Sequence, residues 1–228
     1  MDYTLSLFED NISPGHDVSY GKTNRVVFVA SGSARVIFGD KSNQLSENEA
    51  VHSAMPVSIT TGQAGATIWR WELNEAVSAP ARSEEAGTKM VATIQLETEG
   101  EYLMRCDRVD FPLGGVAYTH THQGPGIRCL YTGEFEVTTE GINSHIEPGE
   151  AWFEAGPDPV YAEASATDLT AFIRVMILPR RLLGQSSIRY VRAEDAEKPK
   201  TQRYTMFVDA PIDIGYTCLL YTSDAADE

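Results

Sequence analysis

The apolar positions of this chain fall in short runs broken by glycine and proline. From residue 25 the run Arg-Val-Val-Phe-Val-Ala is β-branched and aromatic. Ser31-Gly32 then turns the chain, and residues 34–38 (Ala-Arg-Val-Ile-Phe) begin to alternate, the period-two pattern of a half-buried strand. Gly39-Asp40 marks another turn, and apolar runs follow at 50–54, 57–61 and 66–73, separated by Pro56 and Gly62. Short strands at this spacing predict a sandwich or barrel. No helix start leads into a sustained 3.6-residue pattern. Residues 1–24 show little periodicity beyond a turn at Ser13-Pro14-Gly15.

The pattern occurs twice. Residues 25–36 lie over 126–137 at an offset of 101, which superposes the turn glycines Gly32 and Gly133 and brings Asn48-Glu49-Ala50 onto Gly149-Glu150-Ala151. A slightly longer offset sets residues 67–73 on 171–177, with Arg70 over Arg174. Two copies of one barrel are therefore expected. The Ala-, Ser- and Pro-rich stretch from Val77 to Lys89 reads as the connection. The resulting division is a first barrel over 1–78, a linker over 79–89, a second barrel over 90–179, and further strands over 180–217. Within that last segment, Ser186 to Val191 and Gln202 to Val208 both have strand character.

Charge and composition narrow the function classes. The 228 residues carry a formal net charge of −15, which disfavours nucleic acid as a partner, since clustered Lys and Arg would be required. No apolar run approaches the roughly 20 residues of a membrane span. The acidic start MDYTLSLFEDN lacks the order of a secretory signal, so a cytoplasmic protein is expected. Cys106, Cys129 and Cys218 make no disulfide framework or zinc motif. Residues 218–228, CLLYTSDAADE, resemble a translated sequencing adapter from a metagenomic fragment, and a native end near Thr217 is expected.

Candidate chemistry concentrates in residues 112–137, PLGGVAYTHTHQGPGIRCLYTGEFEV. His120 and His122 are two apart on an extended run and share one face. This stretch resembles the first motif of the cupins: Gly114, His120, His122 and Gly133 match, while Gly126 stands where that family has a glutamate. Residues 148–156 resemble part of the second motif, with Val160 at its histidine position. The resemblance implies an all-β chain of two tandem cupin barrels, each a double-stranded β-helix or jelly roll. The first barrel, whose equivalents of the histidines are Ser19 and Gly21, would be structural. A terminal strand would pair with the other barrel's sheet. A homodimer is plausible.

The resemblance also implies a metal site. His120 and His122 would hold a divalent transition metal (iron, manganese, zinc or nickel), with a third ligand drawn from Gln123, Glu154 or Tyr161. A one-residue register shift would turn Tyr161 inward. Tyr118 shares the histidine face and lines the pocket or the core. Alternation points Arg128 inward, where it either anchors an anion or pairs with Glu154 or another acid. Trp69, Trp71 and Trp152 are expected in the core or between barrels, and His145 at the surface. The function expected is a metal-dependent cupin enzyme acting on a small, anionic organic molecule by oxygenase, decarboxylase, isomerase or hydrolase chemistry. The alternative is a metal-free bicupin that binds or senses a small-molecule ligand.

Overall fold

The computed structural model describes residues 1–76, 87–139 and 141–214. The connection at 77–86 and the adapter-like residues 218–228 lie outside them. The first half folds as β1 (Asp2–Ile12), β2 (Asp17–Tyr20), β3 (Asn24–Phe38), β4 (Lys41–Ser46), β5 (Ala50–Ser53), β6 (Val57–Glu75) and β7 (Thr88–Gln95). These make one seven-stranded antiparallel sheet in the order β4-β3-β6-β1-β7, with β2 on β6 and β5 on β3. The long strands β3 and β6 bend where they cross, near Gly32 and Gly65. Gly32 has φ +80°, and a Cβ there would sit 2.2 Å from the Gly65 carbonyl oxygen. Only glycine fits such an approach.

The second half repeats the scheme with its long strands divided. Its elements are β8 (Tyr102–Phe111), β9 (Val116–His122), β10 (Gly126–Thr132), β11 (Phe135–Thr139), β12 (Ile142–Ile146), β13 (Ala151–Glu154), β14 (Val160–Ala164), β15 (Thr170–Pro179), β16 (Ile188–Tyr190), α1 (Ala193–Glu197) and β17 (Arg203–Ile212). They form two five-stranded sheets, β13-β10-β15-β8-β17 and β12-β11-β14-β9-β16. Gly133, at φ +78°, separates β10 from β11. Where the chain bends at Gly32, β3 continues; at Gly133 the equivalent strand breaks.

Two elements sit differently from expectation. Residues 1–24 contain β1, a central strand paired with both β6 and β7. Its residues Tyr3 to Phe8 are all buried, the polar Thr4 and Ser6 among them, and the alternation of Tyr3, Leu5 and Leu7 with those two marks the strand over a stretch too short to stand out. The terminal strand β17 extends its own barrel's sheet beside β8 rather than the other barrel's. β7 occupies the corresponding edge of the first sheet, beside β1.

Separate apolar interiors fill the two barrels: Val27, Val29, Val36, Ile59 and Ile68 in the first, and Val109, Phe111, Phe135, Trp152 and Phe172 in the second. A larger core joins them. Leu5, Leu7, Phe28, Trp69 and Trp71 pack there with Cys106, Ile127, Cys129, Ile173 and Val175. Tyr131 stacks edge-on against Phe28 and Trp69 at 5.9 Å and donates its hydroxyl to Ala30 O at 3.2 Å. No helix among the described residues is long and apolar enough to cross a membrane.

Candidate functional site

Strand β9 brings both imidazoles into the second barrel, where His120 and His122 are buried. His120 Nδ1 lies 2.7 Å from the Tyr118 carbonyl oxygen. A carbonyl can only accept, so this nitrogen carries the proton and Nε2 of the neutral ring keeps its lone pair. The two Nε2 atoms face each other at 3.2 Å. His122 Nδ1 contacts Ser187 Oγ at 3.3 Å. Burial holds the His120 pKa below its ordinary value. Burial, with the Arg128 and Arg174 guanidiniums, holds that of His122 well below it. Both rings are therefore neutral near pH 7, as ligation of a metal requires.

The charged wall of the site comes from β13 and β10. Glu154 accepts from Trp152 Nε1 at 2.9 Å through Oε1. Its Oε2 lies 3.4 Å from His122 Nε2 and 2.7 Å from Arg128 Nη2. The Arg128 contact is an ion pair by distance but lacks hydrogen-bond alignment: neither atom has a hydrogen-bond partner among the described residues. Arg128 donates Nη1 to Gly126 O at 2.6 Å. Burial lowers its pKa to about 10, against the opposing pull of Glu154, so it stays charged. Arg174 on β15 pairs with Asp107 on β8 through Nε and Nη2, at 2.6 and 3.1 Å.

The sequence-predicted residues divide. His120, His122, Arg128 and Glu154 converge on one cavity. Tyr118 does not line it. The pairing of β9 with β14 matches His120 to Val160 and Ala117 to Ala162, so β9 carries an extra residue. That bulge turns Ala117 inward and Tyr118 away, under the Lys198 ammonium at 4.3 Å. The irregularity falls on β9 and not β14, so Val160 stays inward and buried, and Tyr161 points out to bond Glu163. Gln123 is turned to Arg189 Nη2, 2.6 Å away at the surface. His145 is exposed and bonded to Glu136.

Residues beyond the sequence reading complete the walls: Tyr190 on β16, Gln202, and Tyr204 on β17. They follow the cupin-like motifs, and only the strand character of 180–217 pointed to them. Arg174 gave a clearer signal as the one charge in the apolar run Ala-Phe-Ile-Arg-Val-Met-Ile.

The donor chemistry bears on a metal. Two atoms bound to one ion at ~2.1 Å lie about 3.0–3.4 Å apart for right-angled to tetrahedral arrangements. The imidazole pair at 3.2 Å and His122–Glu154 at 3.4 Å fall in that range, whereas Glu154 is not within ion-pair distance of His120 and its Oε2 lies 2.7 Å from Arg128. Two neutral imidazoles suit a divalent transition metal, and among the described residues no three His, Cys, Asp or Glu side chains form a ligand cluster. Gly126 supplies no fourth ligand.

No family model and no curated protein matches this chain. Solved structures do. AerE from Microcystis aeruginosa matches with TM-score 0.56 at 16% identity, covering 77% of this chain and 87% of that one. Bacillus subtilis oxalate decarboxylase at pH 4.6 matches with TM-score 0.62 at 14% identity, covering 86% and 72%. A second structure of that enzyme, concerned with its Mn(II) centres, gives TM-score 0.63 at 14% identity, covering 86% and 73%. At such identities the likeness concerns architecture. With three antiparallel sheets and an internally repeated strand order, the chain has the fold of two tandem cupin-type jelly-roll barrels.

Proposed function

We propose that the second barrel is a metal-dependent site acting on a small anionic organic molecule. The observation that carries this is the facing of two buried, neutral imidazoles, His120 Nε2 and His122 Nε2, at 3.2 Å, with Glu154 Oε2 3.4 Å from His122. His120 and His122 would hold the ion, with Glu154 as the carboxylate beside them, and the ion would supply a Lewis acid with open positions. One fold neighbour, the Bacillus subtilis oxalate decarboxylase, has Mn(II) centres, which supports manganese among the candidates.

The protein's own groups set the rest. Ser187 Oγ can accept from His122 Nδ1–H, fixing the tautomer whose Nε2 lone pair faces the site. Tyr118 O does the same for His120. Arg128 offsets Glu154, and Arg174 offsets Asp107, so the protein charges around the cavity cancel. A bound dication would leave the site positive, which favours an anionic substrate. The aromatic floor of Phe111, Phe135 and Phe172 excludes water and strengthens these fields.

The Arg128–Glu154 contact favours a second reading: a metal-free barrel that binds a small molecule, with Arg128 as its cation. Turnover separates the two. A panel of small carboxylates is incubated with protein stripped by chelator and with protein reloaded with manganese, iron, zinc or nickel, and products are followed by chromatography. The metal reading predicts conversion of at least one substrate by reloaded protein and loss of at least ~100-fold on stripping. Substrate binding of equal affinity with and without metal, and no conversion, would establish the second reading.

A further inference from the structure

The cavity between His120, His122, Arg128 and Glu154 has a volume of about 30 Å³. A water needs ~10–15 Å³ on that measure, so it admits a metal-sized group and the donor atoms of a substrate, not an organic body. A second cavity, of about 610 Å³, lies against it. That size is within the range of ~300–1,000 Å³ usual for small-molecule sites. Arg174, Ile188, Tyr190 and Tyr204 line both cavities, so the large one is the vestibule of the small one. Met206 and Ser187 complete the part of its wall that matters here.

The junction is built for an anionic head. Arg174 is 6% exposed. It gives Nε and Nη2 to Asp107, and no described residue accepts from its Nη1. The Tyr204 ring lies 5.5 Å from the Arg174 guanidinium carbon, and the Tyr190 ring 6.4 Å from that of His120. Neither phenol hydroxyl has a hydrogen-bond partner among the described residues. Burial raises the pKa of both phenols, so each keeps a proton to donate. Tyr204 is 48% exposed as a residue, and its ring forms a wall shared by both cavities. Other cations nearby are spent. Lys200 Nζ donates to three backbone carbonyls, and Arg105 is bonded to Asp209, Leu182 and Gln185. Lys200 Nζ also lies 4.3 Å from the centre of the Tyr190 ring and covers it, so the aromatic surface left to a ligand at the junction is Tyr204, with Ile188 and Met206 beside it.

We infer that the ligand is an aromatic carboxylate, its carboxylate at Arg174 Nη1 and its ring against Tyr204 in the vestibule. This rests on the proposed function for the metal but not for the vestibule itself. Flat rings gain from aromatic walls beyond their buried area, and a guanidinium edge suits a carboxylate.

Benzoate and acetate share a head and differ in body, so titration calorimetry with both, on metal-loaded and stripped full-length protein, isolates the vestibule. Benzoate is expected to bind at least about tenfold more tightly than acetate. Tyr204→Ala should lower that ratio about fivefold with metal content unchanged, and Tyr204→Phe should restore it. A ratio near one in the wild type, or one indifferent to Tyr204→Ala, overturns the assignment even with metal bound. A ratio kept by a protein that takes up no metal upholds the vestibule and removes the metal reading.

Discussion

At the scale of single residues, Gly126 explains why this site departs from the cupin motif. A Cβ at 126 would lie 2.6 Å from Val175 O, 2.8 Å from Met176 Cγ and 3.1 Å from Arg128 Nη1. The neighbouring strand and the guanidinium occupy the space a glutamate would need. Glu154, arriving from the opposite side on β13, brings the carboxylate instead. Gly126→Ala should therefore cost about 1–3 kcal/mol by overpacking, measured by urea unfolding, and should displace Arg128. A variant as stable as the wild type would contradict this packing. The imidazole pair and the inward Arg128 were legible from His-x-His spacing and strand alternation. Tyr118 was not, because a bulge reverses faces within one strand and leaves no mark in composition.

At the scale of elements, long β-branched and aromatic runs bounded by turn glycines were legible, and β3, β6 and β15 announced themselves in this way. β1 did not, because its apolar alternation covers only Tyr3, Leu5 and Leu7. The motif-bearing strands were found, whereas β16 and β17, which bring Tyr190 and Tyr204 to the site, were seen only as strands packing on the barrels. β5 carries a pH-dependent element. His52 pairs in register with Val26, its Nε2 is buried without a partner, and burial lowers its pKa to about 4. The unfolded chain thus binds a proton that the folded chain refuses, and stability is lost as pH falls from about 6.5 towards 4. Urea unfolding at pH 7 and pH 4.5 should show His52→Gln losing about 2 kcal/mol less than the wild type over that interval. Equal losses would place His52 outside the acid response.

At the scale of the whole molecule, the two barrels share a core and differ in what lines their interiors. In the first barrel the Arg25–Glu72 and Arg70–Asp10 pairs fill the interior, with Tyr20 under Arg70 at 4.0 Å. This suits a structural role. Arg70 and Arg174, which the internal repeat superposes, each pair with an aspartate of the neighbouring strand, Asp10 and Asp107, although Arg174 lies opposite Asp107 in register and Arg70 opposite Phe8. What distinguishes the second copy is β9, whose equivalents in the first carry Ser19 and Gly21 where it carries two histidines. The central claim is that these histidines hold a metal. It is tested most directly by mass-spectrometric metal content of the full-length chain, after reconstitution with manganese, iron, zinc and nickel, beside a His120→Ala, His122→Ala double variant. The account predicts near-stoichiometric metal in the first and none in the second; no metal in either, or equal metal in both, would contradict it.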